Sequence, residues 1–183
     1  DGAVNRSTMI FPTVWNTFCC AVALDSLFKG SKLFGGFLMK DLGSEKIMDV
    51  DVLNGWFWMV RRAALDQVGL LDERFFIYGE DIDWCRRFHL SGWRVVLYAE
   101  AAAVHYGGAS SKRAPIRFYI EMQRANLQYW KKHRSWLATR GFLINSWLHH
   151  LVRIVGYGAL YLFDQSKRDE AVFKVERSTA SIR

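Results

Sequence analysis

Cysteine is scarce in this sequence of 183 residues, which contains only Cys19, Cys20 and Cys85. Three thiols at these positions form neither an even disulfide framework nor the paired Cys-x-x-Cys pattern of a zinc site. Cys19 and Cys20 are also adjacent, which makes them poor partners for a disulfide bond. We therefore expect reduced thiols and a cytoplasmic setting, and the class of disulfide-framework domains is excluded.

Proline and targeting signals are equally sparse. The two prolines are Pro12 and Pro115, and each stands where it favours the start of a helix. The first residues are polar and lack the apolar segment of a secretory signal. Since the chain begins at Asp1 without a methionine, we expect it to be a fragment of a longer protein.

Basic and aromatic residues are abundant by contrast. The chain has 25 Lys and Arg against 18 Asp and Glu, a formal net charge of +7, together with 13 Phe, 8 Trp and 7 Tyr. An excess of positive charge favours anionic partners, and nucleic acid, acidic lipid headgroups and phosphorylated substrates all qualify. Nucleic acid is the least favoured of the three, because no RNA-binding motif interleaves the basic and aromatic residues.

Segments with strand and helix patterns alternate along most of the chain, which predicts an α/β or mixed α+β domain and not a helical bundle. The apolar run 47–60 is typical of a buried strand and has Gly55 in its middle, where a ligand or another backbone often comes close. Residues 28–43 are glycine-rich and predict either a ligand-shaped loop or an ordinary surface connection. The predicted helices cover 13–27, 63–68, 80–90 and 116–132, and the other predicted strands cover 93–98 and 101–105.

The last third of the chain changes character, since residues 142–163 are largely apolar and aromatic. Polar residues interrupt this segment at roughly helical spacing, and histidines and an arginine at its centre disfavour a membrane span. Two interpretations stay open, namely a helix lying in an acidic membrane surface and a helix packed against a partner. We expect a frayed tail from Asp164 onward. We expect surface or interfacial positions for four histidines, His89, His133, His149 and His150.

Three carboxylates, Glu80, Asp81 and Asp83, follow an aromatic run and Gly79. Gly79 suits the entry turn of a helix, and acidic residues suit its first turn. By themselves such acids are usually structural, and Asp83 fits an i, i+3 or i, i+4 surface pair with Arg86 or Arg87.

Several sequence blocks that occur in a characteristic order indicate a functional role for these acids. The blocks are Leu53-Asn54-Gly55-Trp56-Phe57-Trp58, Val68-Gly69-Leu70-Leu71-Asp72-Glu73 with the following residues through Asp83, Gly92-Trp93-Arg94, and Val104-His105-Tyr106-Gly107-Gly108. Together they resemble the C-terminal half of family-2 glycosyltransferases, most of all rhamnosyltransferase-like enzymes that build bacterial cell-surface polysaccharides. The resemblance is strong over about sixty residues, from Val52 to Ser111.

The resemblance implies a GT-A fold and a role for each matching residue. Asp81 would be the catalytic base, with Glu80 beside it, and Gly55 would lie where donor and acceptor sugars meet. His105 would help to hold a divalent metal, Mg²⁺ or Mn²⁺, or the donor diphosphate. Trp56 and Trp84 are possible acceptor contacts, because aromatic rings suit sugar faces. The loop residues Gly107, Gly108, Lys112 and Arg113 could bind phosphate oxygens through backbone N–H groups and positive charge.

The pair Asp49 and Asp51 also has the Asp-x-Asp pattern that many glycosyltransferases use for a metal. We do not assign it that role, because in the resembled family the metal motif ends an earlier strand of the nucleotide-binding half. That half has no counterpart before Gly55, so we expect the chain to lack most metal ligands and to be inactive alone.

These observations lead to one preferred function and one alternative. We expect residues 1–115 to form the acceptor-side half of a GT-A domain, and 116–183 to form a helical region that could lie on a membrane. The predicted enzyme inverts configuration while it passes rhamnose or another deoxysugar from a nucleotide-sugar donor to a lipid-linked or polysaccharide acceptor, at the inner face of the cell membrane. The alternative is a non-catalytic module that binds membrane or a polyanion.

Overall fold

A computed structural model describes residues 7–29, 31, 33–35, 46–105 and 113–182. These residues divide into two compact units, each built from two segments of the chain. The first unit combines the segments 1–12 and 37–109, and the second combines 13–36 and 110–183. Residues 13–36, which we predicted in the first domain, therefore cluster with the helical unit. Most of the glycine-rich segment 28–43 lies outside the described residues.

The first unit is a mixed α/β structure with two small antiparallel sheets. Strand β1 (Thr8–Met9) pairs with β3 (Val52–Leu53), and β2 (Ile47–Asp49) pairs with β4 (Val96–Tyr98). The predicted continuous strand over 47–60 is therefore wrong beyond Leu53. The run breaks at Asp51, whose carboxylate accepts the Phe11 N–H at 2.9 Å, and it turns after Asn54, whose carbonyl accepts the Trp56 N–H. The strand predicted over 101–105 is also wrong, because the chain turns after β4.

Two helices complete the first unit, and their termini follow the glycines. Helix α3 spans Arg62–Val68 and ends at Gly69, and α4 spans Glu80–Leu90. Gly79 and Gly92 flank α4 with φ angles of 82° and 80°, which only glycine adopts at little cost. The prediction of both helices is confirmed. Their inner faces pack with the strands around a core of Val50, Val52, Ala64, Trp84, Cys85, Phe88 and Val95.

The second unit is helical in its described residues. The predicted helix over 13–27 is two helices, α1 (Val14–Ala21) and α2 (Leu24–Leu27), because Ala23 adopts a left-handed conformation with φ of 61°. Helix α5 spans Pro115–His133, α6 spans Trp136–Phe163 and α7 spans Arg168–Ile182. The frayed tail predicted after Asp164 is thus wrong, since α7 packs along α6 and buries Ala171 and Ser178.

Helix α6 turns its polar residues inward. The Asn145 amide donates to the Val14 carbonyl at 2.8 Å and to the Thr17 hydroxyl at 2.9 Å, both on α1. His150 is 2% exposed, so its predicted surface position is wrong, because the polar stripe faces the neighbouring helices. Burial also explains why the pKa of the His149 imidazole falls to about 3.

Apolar side chains occupy the opposite side of α6. We call the exposed apolar side chains on this side of α6 the outer face. Two of them, Trp147 and Leu151, are 60% and 57% exposed. The charged residue on this face, Arg140, lays its guanidinium 5.0 Å from the centroid of the Trp136 ring. Across the described residues, no helix has both the length and the apolar character that a membrane crossing requires. The outer face consists of Trp136, Leu137, Ile144, Trp147, Leu151, Val155 and Leu162.

Candidate functional site

A left-handed turn positions the first residues of α4. Tyr78 and Gly79 both have positive φ angles, 67° and 82°, and the helix begins at the next residue. A tyrosine in this region of φ/ψ space costs about 1–2 kcal/mol, which the surrounding fold must offset. The turn places Glu80 and Asp81 in the first helical turn, beside the segment that follows β3.

The carboxylate of Asp81 lies against the backbone of Gly55. Its Oδ1 accepts the N–H of Ile82 at 2.8 Å, and a second backbone hydrogen bond comes from Gly55. A Cβ atom placed on Gly55 would lie 3.8 Å from Asp81 Cβ and 3.7 Å from the Trp58 ring. Gly55 itself is exposed. The structure therefore brings together Gly55 and Asp81, which are 26 positions apart in the sequence, at a surface that a ligand can reach.

Burial controls the acidity of Asp81. Desolvation raises the pKa of its carboxyl group above the ordinary value, although the N–H groups of Ile82 and Gly55 act in the opposite direction. A carboxylate with a raised pKa holds a proton more strongly than an exposed aspartate does. The partly buried site thus offsets the helix N-terminus, which by itself would weaken the group as a base.

Glu80 occupies a similar environment without the same hydrogen bonds. Its Oε2 is buried and has no hydrogen-bond partner. Burial raises the pKa of the Glu80 carboxyl group, and the negative charge of Asp81 raises it further. The two acids therefore form an electrostatically coupled pair.

An aromatic platform lies one residue beyond Gly55. The Trp56 indole stacks on the His105 imidazole with centroids 4.6 Å apart and an angle of 15° between the rings. Both side chains are exposed. This pair joins two of the predicted site residues and presents a flat surface of the kind that binds the apolar face of a sugar ring.

The metal role of His105 stays a prediction. Across the described part of the chain, no group of three or more His, Cys, Asp or Glu side chains is placed to hold a metal ion. The described residues therefore do not form a centre for Mg²⁺ or Mn²⁺. Asp49 and Asp51 have other partners, because Asp49 forms a two-point pair with Arg94 at 2.7 and 2.8 Å and Asp51 accepts the Phe11 N–H.

Two residues of the acidic stretch belong to the interior. Trp84 is 8% exposed, packs between Trp58 and Phe88, and donates its indole N–H to the Gly69 carbonyl at 2.8 Å. It is a core residue and not an accessible acceptor contact.

Asp83 does pair with Arg87 at 2.9 Å, as an i, i+4 pair. The expectation of a surface pair is nevertheless wrong, because the Asp83 side chain is completely buried. The N-terminal position in a helix suggested solvent, whereas the α3–α4 packing covers this side of the turn.

The predicted diphosphate loop is mostly outside the described residues. Gly107, Gly108 and Lys112 lie there, and Arg113 is exposed just before α5. Trp58, which we had not assigned to the site, borders Gly55 with its ring, and its buried indole nitrogen has no hydrogen-bond partner within the described part of the chain. The signal in the sequence was its i, i+2 spacing from Trp56 across an apolar run.

Comparison with known proteins gives a consistent picture. The sequence model of the family described as "Glycosyltransferase like family 2" matches residues 38–136, more than half of the chain. Two strains of Mycobacterium tuberculosis have an N-acetylglucosaminyl-diphospho-decaprenol L-rhamnosyltransferase that is 31% identical to the chain over 109 residues. The match covers 55% of this chain and 35% of the mycobacterial protein.

A second relative is the O-antigen biosynthesis protein RfbC of Myxococcus xanthus, 29% identical over 86 residues. That match covers 45% of this chain and 6% of the relative. The chain therefore spans about a third, or much less, of the curated relatives it matches. No solved structure gives a significant match.

Proposed function

The chain belongs to the glycosyltransferase like family 2, and from this premise we propose that it is the acceptor-side part of an inverting sugar transferase. The donor is a nucleotide-linked deoxysugar such as rhamnose, and the acceptor is a lipid-linked glycan of the bacterial cell surface. The names of the relatives support this choice, since one is a rhamnosyltransferase with a diphospho-decaprenol acceptor and the other belongs to O-antigen biosynthesis.

In the proposed reaction Asp81 removes the proton from the attacking acceptor hydroxyl. The hydroxyl oxygen forms a bond to the anomeric carbon while the bond from that carbon to the donor diphosphate breaks, and the nucleoside diphosphate leaves with the electron pair. Direct displacement from the opposite side inverts the anomeric configuration. The raised pKa of the Asp81 carboxyl group suits this role, because proton transfer is most efficient when the pKa of the base is near the working pH.

The neighbouring groups serve binding in this proposal. The Trp56–His105 platform holds a sugar ring through its apolar face, and Gly55 leaves space for it beside the carboxylate. Arg113, with Gly107, Gly108 and Lys112, attracts the departing diphosphate. Mg²⁺ or Mn²⁺ would neutralise charge on that diphosphate when bound, with His105 as one ligand and the others outside the described residues.

The observation that carries the proposal is the partly buried Asp81 carboxylate, which accepts the backbone N–H groups of Ile82 and of the exposed Gly55. In the complete gene product, Asp81→Asn should lower the rate of transfer about 10²–10⁴-fold, because the base is removed while the shape is kept. The assay follows rhamnose transfer from its nucleotide to a short prenyl-diphosphate-linked N-acetylglucosamine. The anomeric configuration of the product is read by NMR.

Asp66→Asn is the matched control, since Asp66 is an exposed carboxylate on α3 that pairs with Arg62. It should leave the rate unchanged. Normal transfer by the Asp81→Asn protein would remove Asp81 from the mechanism, and retention of configuration would contradict direct displacement.

We also propose that the protein works at the inner surface of the cell membrane, where a lipid-linked acceptor resides. The apolar outer face of α6 supports this location, with exposed Lys131 and Arg140 near one end and Lys167 and Arg168 near the other. The same face supports the alternative function, a non-catalytic module bound to an acidic membrane. A wild-type gene product that bound vesicles but transferred no sugar from any nucleotide donor would favour that alternative.

A further inference from the structure

The inner side of α6 carries a compact set of polar side chains within the helical unit. We call Tyr119 of α5, His149, His150 and Arg153 of α6, and Arg177 of α7 the inner cluster. The Arg177 guanidinium lies 4.3 Å from the centroid of the Tyr119 ring. The edge of the His150 imidazole meets the same ring at 6.1 Å, and His149 contacts His150 at 5.2 Å. Three helices thus contribute to one polar centre.

Neither arginine of this cluster takes part in an ion pair within the part of the chain that the structure describes. Arg124–Glu121, Lys167–Asp164 and Lys174–Glu170 are examples of ion pairs among the described residues of the helical unit, and neither Arg153 nor Arg177 takes part in them. Asp25 of α2 accepts the Cys20 thiol at 3.4 Å and forms an ion pair with neither arginine.

Arg153 follows His149 and His150 on α6 at i+4 and i+3, so the three side chains share one side of the helix. Arg153 and Arg177 both lower the pKa of His149 and His150, in addition to the larger effect of burial. They also favour the ionised form of Tyr119, against the burial that raises the pKa of its phenol. An anion placed in this centre would therefore be attracted by both guanidinium groups.

Hydrogen-bonding groups in the same region are also unsatisfied. Arg177 Nε, His150 Nδ1 and Ser178 Oγ are buried and have no hydrogen-bond partner among the residues that the structure describes. His150 and Ser178 are 2% and 0% exposed. Unpaired charges and polar groups at such positions are costly, and they usually indicate a partner that the protein binds.

We propose that the inner cluster is a binding site for a phosphate or diphosphate group, held between Arg153 and Arg177. Guanidinium groups match phosphate oxygens with paired N–H donors, and a doubly or triply negative group would balance both charges. The buried Nδ1 of His150 would add a hydrogen bond. The site lies wholly within the helical unit and does not depend on the chemistry at Asp81. The group can belong to a prenyl diphosphate or be a free anion.

Calorimetric titration of the full chain with inorganic pyrophosphate and with farnesyl diphosphate tests this site. We expect saturable binding of both, weakened about tenfold or more by Arg153→Gln and by Arg177→Gln, because each removes a charge-assisted hydrogen-bond donor. Arg124→Gln, which disrupts only the exposed pair with Glu121, should bind like the wild type. Tighter binding of farnesyl diphosphate identifies a lipid headgroup, and equal binding identifies a free anion.

A second measurement uses the wild-type protein and so does not depend on variant folding. Modification of arginines by phenylglyoxal, followed by peptide mass spectrometry, should be slowed by pyrophosphate at Arg153 and Arg177 and unchanged at Arg124. Absence of saturable binding of either ligand, or protection that does not include these two arginines, would overturn the proposal.

Discussion

Two opposing influences act on the pKa of the Asp81 carboxyl group. Burial between α4 and the segment after β3 raises it, and hydrogen bonds from two backbone N–H groups lower it. Burial dominates, so the pKa is raised in the folded protein. The folded state then binds a proton more strongly than the unfolded chain, and stability decreases as the pH rises from the ordinary aspartate value through the raised folded value. Ionised Asp81 therefore costs stability at neutral pH.

From this linkage we predict that Asp81→Asn is at least as stable as the wild type at pH 7. Its advantage in free energy of unfolding should shrink as the pH falls below the raised pKa of Asp81, because the wild-type carboxyl group then becomes neutral as well. Urea denaturation between pH 4 and pH 7.5 measures this difference. Asp66→Asn, with an exposed side chain, should differ little from the wild type over the range. An Asp81→Asn protein that loses stability progressively toward pH 7 would show that the carboxylate stabilises the fold.

At the residue scale, the sequence predicted the ends of α4 better than it predicted which of its side chains are buried. Gly79 and Gly92 are sufficient to locate the ends of α4, because the left-handed turns at those ends favour glycine. The burial of Asp83 could not be predicted, since it depends on its partner Arg87, which is held by the carbonyls of Val68 and Leu70. The local sequence around α4 does not encode those carbonyl contacts.

One guanidinium of α4 adds polar contacts to the apolar packing between α3 and α4. Arg87 donates to the Asp83 carboxylate and also to the carbonyls of Val68 and Leu70, at 2.9 and 2.7 Å. Removing it leaves a completely buried carboxylate without its guanidinium and two carbonyls without a donor. We therefore predict that Arg87→Ala lowers the free energy of unfolding by about 3–5 kcal/mol, as measured by urea denaturation.

Arg62→Ala is the matched control, because Arg62 and Asp66 form an i, i+4 pair of the same type on α3 with both side chains exposed. Its expected effect is below about 0.5 kcal/mol. Similar effects for the two substitutions would mean that burial of the α4 pair contributes little.

Two glycines of α6 allow a direct measurement of its packing against α1. A methyl group at Gly141 would lie 3.0 Å from Val14 Cγ1, whereas nothing lies within 4 Å of one at Gly156. Replacing a helical glycine with alanine favours the helix by about 0.5–1 kcal/mol, and this gain applies at both positions. Crowding at Val14 should therefore make Gly141→Ala about 1–3 kcal/mol less stable than Gly156→Ala. Thermal and urea unfolding of both variants checks the difference, and equal stabilities would show that α1 moves aside freely.

Comparison of the helices with the strands shows why the strands were harder to predict. The helices α4, α5 and α6 have glycine, proline or serine at their starts, followed by long periodic patterns. These signals lie within the local sequence and can be recognised without knowledge of the tertiary contacts. The strands are two or three residues long, and their limits depend on contacts distant in sequence, such as the one between Asp51 and Phe11.

For the molecule as a whole, the sequence indicated the family better than it indicated the division of the chain. Residues 13–36 carry no local signal that assigns them to the helical unit. Their place depends on Asn145 and Gly141, more than a hundred positions later. The apolar helix over 142–163 was predicted, but only the structure shows that the polar stripe of α6 faces the neighbouring helices and that its apolar face is exposed.

The outward apolar face leads to a prediction for the full chain on membranes. Vesicles containing acidic lipid should retain the wild-type protein, and retention should weaken with salt because the flanking basic residues contribute electrostatic attraction. Replacing Trp147 and Leu151 together with serine removes two exposed apolar side chains from the outer face. Each side chain is worth about 1.5–3 kcal/mol when fully buried, so the partition coefficient should fall more than about tenfold.

Leu27→Ser combined with Val172→Ser is the control for that measurement, because these side chains are 73% and 52% exposed in the same unit but lie on α2 and α7. Vesicle sedimentation should show normal retention of this control, since a membrane recognised through the outer face does not require α2 or the exposed side of α7. Equal losses for both double variants would indicate attraction to apolar surface in general. Retention of the Trp147 and Leu151 variant at the wild-type level would mean that charge alone brings the protein to the membrane, and the outer face would then have to serve a protein partner.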